Sequence, residues 1–411
     1  MSKIVNITSR EILDSRGNPT VETKVYTEKG NIGIFSVPSG ASTGTKEALE
    51  LRDNDERFFG KGVLKAISNV DLIKKKLVGV EVSEQKKIDE IMIELDGTAN
   101  KSNLGANAIL SVSVACLKAA ALDSGLEVYE YLNRREKRLP YAMYNIINGG
   151  KHSSNNLDIQ EFMIVPKFKE FKEGLRAASE IFNQLKSLLI KQGMSVNVGD
   201  EGGFAPDLKS NEEALSLIIK SISEAGYIPG VNVFIALDVA ASSLYNKNND
   251  TYKIDNNSLS REELLDYYVS LVKSYPIISI EDPFDEDDYE GFKMITEVLG
   301  KKISIVGDDL FVTNKELLKK GIDNKMCNAI LIKLNQVGTF YETLETIVLA
   351  KQHNYTTIIS HRSGETLDTF IADLAVSLNI PFIKTGSVTR GERVCKYNRL
   401  MEIEEELSKN E

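Results

Sequence analysis

The sequence predicts an α/β chain built as a small α+β capping domain followed by a closed, TIM-like β/α barrel. Two patterns predict it. Residues 3–37 hold three stretches rich in Val, Ile, Thr and Tyr, divided by Gly17-Asn18-Pro19 and Lys29-Gly30-Asn31, the mark of an antiparallel meander. After about residue 140, short apolar runs break off at a polar residue and a helical pattern follows, with breaks at Asp238, Glu281, Asp308, Lys333, His361 and Lys384. Apolar strands alternating with helices imply a parallel sheet. Six or more such units, each with a functional side chain at its strand's C-terminal end, imply a closed barrel whose site lies on that face. A doubly wound open sheet is the structural alternative.

In chain order, the meander leads into Pro38-Ser39-Gly40-Ala41-Ser42-Thr43-Gly44. This segment is small, hydroxyl-rich and glycine-bracketed, which suits a mobile lid over an anion or metal. Apolar residues then recur at helical spacing, as at Val63, Ile67 and Val70 and at Ile88, Ile91 and Leu95. The Ala-rich run 105–122 contains Asn107, Ser111, Ser113 and Lys118 and reads as a buried helix, not a membrane span. The polar run 133–138, closed by Pro140, marks a boundary between an N-terminal domain over 1–137 and a barrel over 138–411. One insertion, at 245–257, lengthens an early unit of the barrel.

With 50 Lys+Arg against 60 Asp+Glu the formal net charge is −10, which argues against the basic footprint of a nucleic-acid binder. No membrane partner is indicated. A core drawn from 411 residues needs no disulfide or structural metal. Cys116, Cys327 and Cys395 form no CxxC pair, so neither a disulfide framework nor zinc is expected. Only three histidines are present, His152, His353 and His361, too few for histidine-cluster chemistry. The first twenty residues carry Lys3, Arg10, Glu11, Asp14 and Arg16, unlike a secretory signal, and the chain is expected in the cytoplasm.

Asp238, Glu281 and Asp308 come from three consecutive strand ends. Carboxylates that close would repel unless a divalent cation sat between them, and all-oxygen ligation selects Mg²⁺ or Mn²⁺. Taken singly, each reads equally well as a helix N-cap or a loop acid. Asp309 should face away from Asp308, since adjacent strand residues face opposite sides, and the acidic run 285–288 reads as a solvated loop. Lys333 and Lys384 sit on the same face, where desolvation and nearby cations lower a lysine pKa and make it a base. A salt bridge, a snorkelling lysine or a Schiff base are the other readings. Arg362, with Ser360, His361 and Ser363, can grip a carboxylate or phosphate. Glu201, inside Val198-Gly199-Asp200-Glu201-Gly202-Gly203, is either a general acid or an exposed turn residue.

Together these segments resemble the enolase family over nearly the whole chain. The matching stretches are DSRGNPTVE (14–22), SGASTG (39–44), NLGANAIL (103–110), NIINGGKH (145–152), IQEFMIVP (159–166), VGDEGGFAP (198–206), SIEDPF (279–284), VGDDLFVTN (306–314), SHRSGET (360–366) and IKTGS (383–387). The resemblance implies an enolase-type barrel and a Mg²⁺-dependent, reversible dehydration of 2-phosphoglycerate to phosphoenolpyruvate in glycolysis and gluconeogenesis. It implies two Mg²⁺ per site, the first on Asp238, Glu281 and Asp308 and the second reached by Ser42. Lys333 resembles the base that removes the α-proton, and Glu201 the acid that protonates the departing hydroxide. Arg362, Ser363 and Lys384 resemble the phosphate and carboxylate grips, with His361 in the same motif. His152, Gln160 and Glu161 match the segment around the leaving hydroxyl. On this reading neighbouring acids such as Glu161 raise the pKa of Glu201, and the metals with Lys384 lower that of Lys333.

The family also implies a homodimer or larger homo-oligomer. The stretch 131–140 is shorter than usual for it, which bears on surface contacts. A paralogue acting on a related phosphate or phosphonate hydroxy acid, and a non-catalytic surface-binding protein, are the competing functional readings.

Overall fold

The computed structural model of the chain describes residues 2–40, 44–133, 135 and 137–409. Strands β1 (Ile4–Leu13), β2 (Pro19–Thr27) and β3 (Ile32–Ser36) form the expected antiparallel meander. Its turns fall at the anticipated glycines, Gly17 and Gly30, both with positive φ. Alternation along β2 buries Val21, Thr23, Val25 and Thr27. Helices α1 (Leu64–Leu77), α2 (Gln85–Asp96), α3 (Ala106–Asp123) and α4 (Val128–Leu132) follow. Helix α3 is long and apolar enough to cross a membrane, yet it is enclosed by this domain. It lies so close to β3 that a Cβ on Gly33 would fall 2.0 Å from the Ala115 carbonyl oxygen. Its buried Ser111 hydroxyl is satisfied at 2.7 Å by Thr23.

The second part is a closed eight-stranded barrel. Strand β4 (Tyr141–Asn148) pairs with β5 (Glu161–Pro166), helices α5 (Phe171–Lys191) and α6 (Asn211–Glu224) follow, and β6 (Val233–Asp238) comes next. The insertion is a small separate sheet of β7 (Tyr245–Asn246), β8 (Thr251–Ile254) and β9 (Asn257–Leu259). Regular alternation then resumes through α7 (Arg261–Ser274), β10 (Ile277–Glu281), α8 (Tyr289–Leu299), β11 (Ser304–Gly307), α9 (Lys315–Asp323) and β12 (Ala329–Ile332). The last elements are α10 (Leu334–Val337), α11 (Phe340–Gln352), β13 (Thr356–Ser360), α12 (Phe370–Ser377), β14 (Phe382–Lys384) and α13 (Gly391–Lys409). Around the ring the order is β4, β5, β6, β10, β11, β12, β13 and β14, which returns to β4.

The barrel departs from an all-parallel ring at one strand. β5 runs antiparallel to both neighbours, β4 and β6. The link from β4 to β5 carries only a short 3-10 turn, Gly150–His152, and no α-helix, whereas a parallel return usually passes through a helix. The first residue of β5, Glu161, therefore stands level with the last residues of β4 and β6, Asn148 and Asp238.

Side-chain alternation sets the rest of the mouth. Met163, Ala236, Val306, Leu331 and Ile358 belong to one buried apolar cluster. Two residues further toward the mouth lie Glu161, Asp238 and Ser360 on the same strands, and Asp308 and Lys333 just past the ends of β11 and β12.

Candidate active site

The ends of β5, β6, β12, β13 and β14 deliver charged or polar groups into one cavity, lined by His152, Gln160, Glu161, Glu201, Asp238, Lys333, Ser360, His361, Arg362, Ser363 and Lys384. A larger groove of about 780 Å³ lies elsewhere, between β3, α3 and α13, and has no comparable convergence of charge. Volume alone does not mark the chemistry here.

Lys384, at the end of β14, is 2 % exposed and places Nζ 2.9 Å from Asp238 Oδ2, 3.0 Å from both Glu281 oxygens and 3.2 Å from Glu161 Oε1. Burial would lower its pKa, but the three acids outweigh burial and hold it well above the usual lysine value. Glu281 is pushed well up by burial and by Asp238. Lys333, just past β12, contacts Asp308 Oδ2 directly. Its other oxygen accepts from Gln336 Nε2 at 2.9 Å. The lowered pKa expected for Lys333 is not what the protein groups produce: burial lowers it, and Asp308 more than reverses that.

The acid expected at Glu201 is buried, 2 % exposed, in the loop between α5 and α6. The loop is pinned by a bridge between Val198 and Phe204 and by Ser387 N donating to the Glu201 carbonyl at 2.9 Å. Gly203 packs where a Cβ would lie 2.6 Å from Asn148 Oδ1. His152 Nδ1 lies 3.6 Å from both Glu161 Oε1 and Glu201 Oε1, so the histidine bridges the two acids. Asn145 Nδ2 donates to Glu201 Oε2 at 3.1 Å. The direction expected for Glu201 is reversed. Burial would raise it, but His152, His361 and Arg393 hold it well below the carboxylate range. Glu161 is the partner driven well up, by burial and by the charge on Glu201. The two carboxyls thus shift in opposite directions and titrate as a coupled pair.

Arg362 is gripped from the other domain: Nη1 and Nη2 donate to the two Glu47 oxygens at 3.0 and 3.1 Å, and Nη1 donates to Asn335 Oδ1 at 2.9 Å. Ser363 Oγ reaches His152 Nε2 at 3.5 Å, and Gln160 Nε2 donates to Asp238 Oδ2 at 3.3 Å. Thus every expected site residue except one converges on this mouth. The exception, Ser42, lies outside the described residues.

Two expectations need correction. Asp309 does not turn away, because 308 and 309 lie beyond the end of β11, where strand alternation no longer applies. Oxygens of Asp282, Asp308 and Asp309 gather within 4.8 Å of one another, and burial with Asp308 raises Asp309 to about 7. Nor is the run 285–288 solvated throughout, since only Asp287 is exposed. Asp285 and Glu286 are buried, and Asp288 caps α8 through Gly291 N at 3.0 Å while pairing with Arg261 at 2.8 Å.

Sequence reasoning also passed over Asn145, Gln336, Glu47 and Arg393. Asn145 had a signal, since it stands two residues from the barrel-facing Met143. Gln336 follows Lys333 by one helical step. Glu47 and Arg393 come from elements that only the tertiary fold brings to the mouth.

The family model for the enolase N-terminal domain matches residues 4–132, and that for the enolase C-terminal TIM barrel domain matches residues 136–411. The chain belongs to the enolase family. Membership makes it a dehydratase-type lyase that depends on Mg²⁺ and takes a small phosphorylated substrate.

The residues of this enolase-family mouth fit hard divalent cations. The ligand atoms offered by Asp238, Glu281 and Asp308 are all carboxylate oxygens, with no thiolate among them. The two groups whose ligand atoms gather within 4.8 Å of one another among the described residues are different sets, Asp282 with Asp308 and Asp309, and His152 with Glu161 and Glu201.

Proposed function

We propose that the protein interconverts 2-phosphoglycerate and phosphoenolpyruvate, with Lys333 as base and Glu201 as acid. One observation carries the reading. Lys333 at β12 and Glu161 at β5 stand four strands apart in an eight-strand ring, hence on opposite sides of one buried cavity. A substrate held between them can lose a proton on one side while its hydroxyl leaves toward the other.

On this reading Arg362 and Ser363 hold the phosphate, and Lys384 faces the substrate carboxylate. Lys333 Nζ takes the α-proton, and the C–H electron pair becomes the new C=C bond. The C–O pair leaves with the oxygen, which takes a proton from Glu201 and departs as water, that proton having reached Glu201 from Glu161 by way of His152. Asp238, Glu281 and Asp308 would hold one Mg²⁺ and Ser42 would reach a second. When bound, the ions neutralise those carboxylates, relieve the hold of Asp308 on Lys333 and stabilise the charge that builds on the substrate carboxylate.

On the same proposal the reaction serves glycolysis and gluconeogenesis in the cytoplasm, carried out by a homodimer or larger homo-oligomer. The test is direct. Purified protein with Mg²⁺ and 2-phosphoglycerate is followed for phosphoenolpyruvate by its ultraviolet absorbance. Turnover supports the reading, and its absence, with turnover of a related phosphate or phosphonate hydroxy acid instead, would replace it with the paralogue.

A further inference from the structure

Arg393, in the first turn of α13, is the largest side chain in the fold that is fully buried. Its guanidinium sits behind the active-site loops. Nη1 lies 2.7 Å from His361 Nδ1 and donates to the Arg362 carbonyl at 2.6 Å. Nη2 donates to the Ser363 carbonyl at 2.6 Å and to the Asp200 carbonyl at 3.1 Å. One side chain thus joins the loop after β13 to the loop that carries Glu201.

A guanidinium has five donors, no acceptor and no accessible deprotonated form. The His361 Nδ1 facing it must therefore be a lone pair. A neutral imidazole carries one ring proton, so that proton sits on Nε2, which lies 3.3 Å from Glu201 Oε2 but is not aligned for a hydrogen bond to it. The same oxygen already accepts from Asn145 Nδ2 at 3.1 Å. A carboxyl proton placed on Oε2 would point at two donors. Oε1 faces His152 Nδ1 at 3.6 Å.

We propose that Arg393 is a positioning residue: it fixes His361 as its Nε2–H tautomer, which turns an N–H toward Glu201 Oε2, the oxygen that Asn145 already occupies, and leaves Oε1 as the oxygen that carries the transferable proton. The part concerning Oε1 rests on Glu201 being the acid of the proposed reaction. An imidazolium at His361 would set an N–H against the guanidinium. Burial, opposed by Glu201 and Glu365 and reinforced by Arg393, independently lowers this histidine to about 4.

Three histidines make the test tractable. Histidine-selective ¹⁵N labelling of the full chain, free of substrate, gives three ring systems in long-range ¹H–¹⁵N correlation spectra, with His361 assigned by its loss in His361→Gln. The expected result is a neutral Nε2–H pattern for His361 across roughly pH 5–8, the range in which an ordinary histidine titrates. An Nδ1–H or imidazolium pattern overturns the proposal.

In Arg393→Met the Nε2–H pattern should give way to a tautomer mixture and kcat should fall about ten- to a hundred-fold with little change in KM, because the general acid is affected more than substrate binding. An unchanged His361 pattern in this variant overturns the proposal too. Should that variant fail to fold, a second pair decides. A Gln amide reaches where Nε2 stands and an Asn amide where Nδ1 stands, so His361→Gln should retain at least about ten-fold more kcat than His361→Asn, and equal loss in both overturns the assignment. Wild-type turnover of 2-phosphoglycerate is read separately. Its absence removes the proposed function and leaves the tautomer result standing.

Discussion

Lys333 and the Glu161–Glu201 pair face each other across the mouth, so the two half-steps of a dehydration are separable by single substitutions. Glu201→Gln should lower dehydration by about 10²–10⁴-fold yet still exchange the substrate α-proton with deuterium from solvent, whereas Lys333→Ala should lose exchange as well. Proton NMR of recovered substrate reads the difference, and equal exchange in both variants would show the roles misassigned. A second residue-scale consequence concerns Asp282. Its two oxygens accept the backbone N–H groups of Asp308 and Asp309 at 2.9 and 2.8 Å, from a left-handed backbone with φ of 41°. It orients a proposed metal ligand without touching substrate. Groups that orient ligands typically change metal affinity by 10–100-fold, so Asp282→Asn should raise the Mg²⁺ concentration for half-maximal activity by about that factor. Unchanged Mg²⁺ dependence would contradict the bracing role.

Among the elements, the close seat of α3 on β3 sets the tightest packing demand. A Cβ on Gly33 has nowhere to go between the Ala115 carbonyl and Ala119. Overpacking of this kind costs about 1–3 kcal/mol, so Gly33→Ala should lower the unfolding free energy by that amount in a urea titration, while Gly30→Ala, whose Cβ meets nothing within 4 Å, tests backbone strain alone. Elements were also where the sequence spoke most clearly. The meander, the helices and the strands ending at Asp238, Glu281 and Lys384 were legible because period-2 and period-3.6 apolar patterns report burial directly. β5 was less so: IQEFMIVP is a short apolar run, and apolar runs state that a strand is buried without stating which way it runs.

Across the whole molecule, charged and polar contacts join the two domains. Glu47 holds Arg362, Lys118 pairs with Asp368 at 2.6 Å, and Asp89 on α2 accepts Tyr341 N of α11 at 2.9 Å. None of these was readable from local pattern, since each joins residues hundreds of positions apart, and the same holds for Arg393 and the Glu201 loop. Asp89 makes the joint pH-sensitive. It is fully buried, and burial, opposed by hydrogen bonds from Ser113, Tyr341 and Gln85, raises its pKa to about 7. A carboxyl that holds its proton more tightly when folded stabilises fully below about pH 4 and loses that contribution as pH rises through about 7. Wild type should therefore lose up to about 4 kcal/mol from this group between pH 4 and 8. In Asp89→Asn the slope of melting temperature against pH over that window should flatten. An identical slope would show that Asp89 does not titrate there.

The reversed β5 also bears on the order in which the barrel wall comes together. β4 and β5 are joined by residues 149–160 alone, and their pairing closes a short loop. β14 and β4, which seal the ring, pair Phe382 with Tyr141 across most of the domain. Chain entropy lost on closure grows with loop length, and local pairings form faster than distant ones. Asn145, His152 and Glu161 are thus gathered by an early, short-range event, and Lys384 joins them only at the last seam. Pulse-labelled hydrogen exchange during refolding should protect amides of the β4–β5 ladder before those of β14, and the reverse order would show that the ring nucleates elsewhere.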